Sequence, residues 1–338
     1  MKRQMLLYPM LFALVSLASC TKEIQFNGDE TEPKLVVYSV ARAGEPLEVE
    51  VSHSAFFLKS GPLSSYVELL KPEEGSVKLY VNDSAIPYVL TRRVPQIIDT
   101  DGDAEPDYRD LPDAPLYYDS AYVPAEGDNL RLVVSFPGFE EASAEVKLPV
   151  SSVLTVDSAT LRPLSEDYYS SYCYYDVAMT VHRGADPTCF YGIRPYLHIK
   201  YTYNGEEMED TYSWNMESDD FLFQGNGSTT DQISQLFSDD DVSMLFADTK
   251  IPSDSYSFRG SFLSYNLEEI RADGATADYY LVFTTMTRDL YYYRTSLATA
   301  NSSSSFSLFS EATSIYSNVR GGYGCFCAAS AKKIALDL

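Results

Sequence analysis

Between residues 34 and 149 apolar and polar side chains alternate with a period of two. Leu47, Val49 and Val51 interleave with Glu48, Glu50 and Ser52, which predicts a strand with one buried face. Leu35 to Val40 reads as a strand before it. Val77 to Val81 runs into Asn82-Asp83, a turn from which Tyr88-Val89-Leu90 returns. Leu130 to Val134 follows the turn residues Glu126-Gly127-Asp128-Asn129, and Ala142 to Leu148 makes a last strand before Pro149. Short strands separated by turn residues predict an immunoglobulin-like β-sandwich over residues 34–149, with Pro149 as the boundary. Beyond it the pattern is less regular. Tyr172 to Val181, Tyr196 to Tyr203, Tyr256 to Tyr265 and Asp278 to Thr284 read as strands. Ser228 to Leu236 reads as a short capped helix. From Thr287 a second helix places Leu290, Tyr293 and Leu297 on one face. The expected fold is mainly β, with a larger β-rich domain and a few short helices over residues 150–338.

The first residues follow a different rule. Lys2 and Arg3 are positive, Met5 to Leu17 is apolar apart from Tyr8 and Pro9, and small residues then precede Cys20. The run is shorter than the ~20 residues a membrane span requires, so residues 1–19 read as a secretory signal peptide. Leu17-Ala18-Ser19-Cys20 resembles a bacterial lipobox, in which the cysteine thiol is acylated and becomes the mature N-terminus. Palmitate-like chains contribute roughly 0.8 kcal/mol per buried CH₂, enough to hold a multiply acylated Cys20 at a membrane. Residues 20–33 then form the acylated cysteine and a polar tether. Lys22-Glu23 resembles the charged tracts that send some Bacteroidetes lipoproteins to the cell surface. A periplasmic or surface-exposed face is left open.

Charge narrows the partners. The chain carries 25 Lys and Arg against 49 Asp and Glu, a formal net charge of −24. A phosphate backbone is repelled by such a surface, which argues against nucleic acid. Anionic headgroups are repelled as well, leaving a lipid as the means of attachment. Besides Cys20 there are Cys173, Cys189, Cys325 and Cys327. An exported compartment permits disulfides. Cys325 and Cys327 point to the same face of a strand, an awkward geometry for a bond, so Cys173 with Cys189 is the expected pair. His53, His182 and His198 lack the spacing of a zinc site.

Asp99, Asp101, Asp103, Glu105 and Asp107 place oxygen ligands at alternate positions around Gly102, a pattern suited to Ca²⁺. It is similar to a single thrombospondin type 3 repeat, and lacks the downstream glutamate of an EF-hand. The alternative is a solvated acidic loop. Twenty-eight tyrosines suit either stacking on sugars and interfaces or ordinary strand packing, and strand packing is the plainer reading. No Gly-x-Ser-x-Gly elbow or His-Glu-x-x-His occurs. Asp239-Asp240-Asp241 reads as a turn or cap. A hydrolase built on carboxylates that meet only in space is the least favoured class.

Several of these stretches carry a family resemblance. Lys34-Leu35-Val36-Val37 after Glu32-Pro33, Val123 to Asp128, Phe136-Pro137-Gly138-Phe139, Tyr291-Tyr292-Tyr293, and Ile315 to Phe326 resemble the Bacteroidetes lipoproteins of domain of unknown function 4249. The resemblance implies an outer-membrane lipoprotein often found beside a TonB-dependent transporter, and implies no catalytic residues. Gly321, Gly322 and Gly324 suit a tight turn or close backbone approach before the last strand. The expected function is a non-catalytic accessory or binding component of an uptake system at the outer membrane. The alternative is a structural surface protein, a fimbrial subunit or adhesin.

Overall fold

The computed structural model describes residues 32–54, 74–93, 116–119, 121–164, 171–224, 236–237, 242–272, 274–304 and 314–338. Within them the chain is mainly β, as the alternation predicts. Its first half comprises β1 (Leu35–Arg42), β2 (Leu47–His53), β3 (Ser76–Val81), β4 (Tyr88–Arg93), β5 (Leu116–Asp119), β6 (Asn129–Ser135) and β7 (Ala142–Lys147). Strands β1-β2-β5-β4 pair in one layer and β3-β6-β7 in another. Strand β4 joins the two: Leu90 pairs with Val77 of β3, and Thr91 with Tyr118 of β5. This is the A-B-E-D and C-F-G strand order of an immunoglobulin-type Greek key. The inward residues are aliphatic, among them Val37, Val49, Leu79, Leu132 and Val134. Each such side chain contributes about 1.5–3 kcal/mol on burial. Tyr117 meets Phe136 edge-on at 6.2 Å.

The second half comprises β8 (Leu154–Pro163), β9 (Tyr172–His182), β10 (Phe190–Tyr203), β11 (Glu206–Ser213), β12 (Met244–Ala247), β13 (Ser255–Tyr265), β14 (Thr276–Met286) and β15 (Tyr323–Ala335), with helices α1 (Leu267–Ala272) and α2 (Arg288–Ser304). Strands β13-β9-β8 form a separate three-stranded sheet, while β11-β10-β14-β15 continue the large sheet that reaches β1. Between these sheets lies an aromatic core that includes Tyr175, Tyr191, Tyr279, Phe258 and Phe283. The β10–β11 hairpin turns on Asn204 at φ 52° and Gly205 at φ 84°. Two consecutive left-handed residues give the turn whose twist matches paired strands.

Strand β15 closes both halves. Residues from Tyr323 to Ala329 run parallel to β1, and those from Ala329 to Ala335 run antiparallel to β14. Gly324 has φ 103°, and a Cβ there would collide with the Val37 carbonyl. Only glycine lets the strand enter so close to β1. Cys325, Cys327 and Ala329 face away from the first core, in a cluster with Leu290 of α2, Met286 and Phe237. Their small side chains leave room for the helix. Leu290 is buried and Tyr293 packs on the same cluster, on the face expected from their spacing.

Near Pro149 one core gives way to the next, yet residues 33–338 cohere as one unit. The first core also takes Val319, Phe326 and Ala328 from beyond residue 149, so residues 34–149 do not make up that core alone. The expected Cys173–Cys189 disulfide is not formed, because all four described cysteines are free thiols. Cys173 opens β9 and Cys189 follows its far end. At ~3.3 Å per residue the strand between them spans roughly 30 Å, far beyond disulfide reach. Cys20, the acidic residues Asp99 to Asp107, Asp239 to Asp241 and nearly all of the helix expected at Ser228 to Leu236 lie outside the described residues.

Candidate functional site

In β9 and β13 every second residue faces the aromatic core, and β8 pairs along the edge of β9, so the intervening residues of β9 and β13 form an outward face with β8 beside it. Cross-strand register assembles that face in rows. Thr160, Asp176 and Ser261 are opposite one another, and Arg162, Tyr174 and Leu263 form the next row. Ser257, Thr180 and Thr155 make a third. Along the β13 edge lies a rim from Glu217 to Asp220. Its backbone bonds that edge reciprocally, Glu217 N–H to the Ser261 carbonyl and Ser261 N–H to the Glu217 carbonyl, both at 2.8 Å. Gly260 permits the approach, since a Cβ there would meet the Met216 side chain and the Glu217 carbonyl. Ser218 adds a hydroxyl hydrogen bond to the Arg259 carbonyl. Asp220 caps the single 3-10 turn Phe221–Phe223, accepting from Leu222 N–H at 3.0 Å and from Tyr256 OH at 3.1 Å.

Rim and sheet enclose an open cleft of about 700 Å³, lined by Asp176, Arg259, Ser257, Ser261, Glu217 and Asp219 among others. Its fixed point is an ion pair. Arg162 donates to Asp176 through Nε at 2.8 Å and Nη2 at 3.1 Å, and lies 4.4 Å from the Tyr174 ring centroid. The two-point hydrogen bond from Arg162 holds the Asp176 carboxyl below the usual range and raises the guanidinium in turn. In the third row Thr180 donates to Asp157 and shares a hydrogen bond with Ser257, both at 2.7 Å. Burial, with the Asp220 hydrogen bond second, raises the Tyr256 hydroxyl. Arg259, Glu217 and Asp219 are exposed. The arrangement offers donors and acceptors to a solvent-borne ligand. Among the described residues no group of three His, Cys, Asp or Glu side chains is placed to hold a metal.

None of the cleft residues was singled out by the sequence. The available signal was Ser257, Arg259 and Ser261 alternating with Phe258, Gly260 and Phe262, the outward set of a half-buried strand. Several tyrosines, His198 and residues of the turn and closing motifs brace the fold instead. Tyr175, Tyr191 and Tyr279 are buried in the second core. Tyr291 stacks on Phe190 at 3.9 Å, and Tyr293 on Tyr38 at 5.3 Å. His198 pairs with Glu209 at 3.1 Å on the other sheet. Asp128 accepts from Asn82 at 2.7 Å, Tyr122 at 2.5 Å and Ala125 N–H at 2.9 Å, tying two loops together. Asn318 accepts from Phe326 N–H at 2.9 Å and donates to the Phe326 carbonyl at 2.7 Å. It takes the place of a neighbouring strand on β15 before β14 begins to pair.

Fold and site together define a two-core β protein closed by its last strand, with a polar cleft on the smaller sheet. The chain belongs to the family described as Domain of unknown function (DUF4249), whose model matches residues 21–335. A search of the curated proteins finds no match. The motifs Val123 to Asp128 and Ile315 to Phe326 thus have structural work in this family member, through Asp128, Asn318 and Gly324.

Proposed function

We propose that the chain is a lipid-anchored binding protein of the bacterial outer membrane, accessory to a TonB-dependent barrel, that holds its ligand without transforming it. The observation that carries this reading is the leader ending in Leu17-Ala18-Ser19-Cys20, followed by a polar stretch up to Pro33. The family model begins at residue 21, directly behind Cys20, which fits a family body on an acylated stem. Extended at about 3.3–3.6 Å per residue, residues 21–33 reach at most roughly 45 Å, enough to present the body beside a membrane protein. The cleft supports binding: it is wide, polar and built on strands whose other face is locked in a core.

The test is a pull-down of the natively acylated chain from gently solubilised outer membranes, with partners identified by mass spectrometry. A stoichiometric TonB-dependent barrel is the expected result. Recovery alone from membranes whose barrels are intact overturns the uptake reading, and recovery as self-polymers moves the assignment to a fimbrial subunit. A Cys20→Ala chain is expected in the soluble fraction; if it stays with the membrane, the lipid anchor is wrong.

A further inference from the structure

We infer that the cleft on β8, β9 and β13 binds a neutral, polyhydroxylated ligand, an oligosaccharide chain laid across the three strands. The inference rests on the reading of the chain as a binding protein and names what it binds. The cleft lining holds the carboxylates of Asp176, Glu217, Asp219 and Asp220, with Arg259 on its floor and Arg162 bonded to Asp176. An anionic ligand is repelled by the carboxylates, and the net charge of −24 adds to that at longer range. A cation meets the Arg259 guanidinium in the same lining as the carboxylates. A hydroxyl group is both donor and acceptor, so one kind of ligand group satisfies carboxylate, guanidinium and the Thr160, Ser257 and Ser261 hydroxyls alike.

Geometry points the same way. The rows of outward side chains lie on strands about 4.8 Å apart, close to the rise of one pyranose unit in an extended oligosaccharide. Planar carboxylate and guanidinium groups match the paired hydroxyls on adjacent ring carbons. Leu263, 39 % exposed, stands opposite Tyr174 beside the polar rows, giving an apolar shoulder for the C–H face of a sugar ring. The cleft is open, so its affinity rests on a few hydrogen bonds made in competition with water.

The test is calorimetric titration of the full chain with three classes of probe. They are neutral gluco-, manno-, xylo- and galacto-oligosaccharides in both anomeric linkages, oligogalacturonate as the anion, and spermidine as the cation. At least one neutral oligosaccharide is expected to bind, in the micromolar to millimolar range. Arg259→Ala and Asp219→Ala, both at exposed positions, are each expected to weaken it roughly tenfold or more with an unchanged melting temperature. Binding of the anion or the cation alone, binding of none, or undiminished binding in the Arg259→Ala, Asp219→Ala double variant overturns the inference. The barrel pull-down is read separately. A chain that keeps its barrel but ignores sugars loses this inference only, and one that binds sugar without a barrel loses only the uptake reading.

Discussion

The two halves of the molecule solve the same packing problem with different side chains. The first core is almost wholly Val, Leu and Ala, with Tyr117, Phe136 and Phe326 as its buried aromatics. In the second, Tyr175 and Tyr279 lie 4.6 Å apart, Tyr175 and Phe262 5.2 Å, and Tyr191 and Phe283 5.5 Å. An aliphatic core asks only for volume. A buried tyrosine brings a hydroxyl that must be bonded, because leaving it bare costs about 1–3 kcal/mol. The Tyr175 hydroxyl donates to the Tyr265 carbonyl at 2.8 Å, and that of Tyr279 lies 2.6 Å from Ser264 Oγ. Tyr191 donates at 2.7 Å to Asp248, a carboxylate buried in the same half and also held by Gly184 N–H at 3.0 Å. The second half thus exchanges adaptability for directional bonds that fix one arrangement.

Because β15 serves both cores, the sharpest break in the comparison is Gly324→Ala. The substitution forces a Cβ against the Val37 backbone at a φ of 103°, and about 3–5 kcal/mol of stability should be lost. Trp214, the one tryptophan of the chain, packs 5.8 Å from Tyr265 in the second half and reports on that half alone. Urea unfolding followed by Trp214 fluorescence should shift with the mutation, although Gly324 sits against β1. An unmoved Trp214 transition beside a separate, earlier loss of far-ultraviolet circular dichroism would mean that the halves unfold independently.

Deleting one large ring sharpens the contrast next. Phe283→Ala in the second core should cost about 3–5 kcal/mol, and Leu132→Ala in the first about 2–5. Conservative changes should separate the halves better. Leu132→Met keeps volume and should cost less than about 1.5 kcal/mol. Tyr279→Phe also keeps volume, yet it strips the bond at Ser264, itself buried, and should cost about 1–2 kcal/mol. Equal midpoint shifts for these two variants in urea would show that the tyrosine hydroxyl does not specify the second core.

The same difference explains what the sequence made legible. Alternation, strict in Leu47 to Val51 and broken only by Val133 in Leu130 to Val134, marks a strand with an aliphatic inner face, so most of the first half was readable. Strand β5 is only four residues long, beside a stretch with no alternation. Strand β8 exposes most of its length, with a register shift between Val156 and Ser158, and so carries no two-residue period. Strand β10 contains Pro195, which ordinarily argues against a central strand. Pro195 sits where the pairing of β10 changes from β12, ending at Ile193, to β11, beginning at Tyr196, so its missing N–H falls between two ladders. The cleft was illegible for another reason: its residues come from β8, β9, β13 and the rim at residues 217–220, and only register brings them together. The disulfide expectation failed likewise, since separation in sequence says little when a straight strand lies between two cysteines.

The smallest effect worth measuring concerns acid, and falls in the first half. Burial raises the Asp128 pKa, but hydrogen bonds from Tyr122, Asn82 and the Ala125 N–H outweigh it and hold the carboxyl below its usual value. A depressed carboxylate contributes stability that is fully present above the unfolded pKa of about 3.9, and loses it as pH falls through the lower folded value. Asp128→Asn removes the titrating group while keeping its shape. At pH 7 the variant should be less stable by on the order of 1 kcal/mol, since the site is partly open to water. As pH falls below the unfolded value and through the lower folded one, the wild-type carboxyl protonates and the gap should close. Melting temperatures of both chains from neutral to strongly acid pH would show the convergence. A gap that stays constant across that range would mean that Asp128 braces the Asn82 and Tyr122 loops by shape alone, and that the first half, like its aliphatic core, owes little to charge.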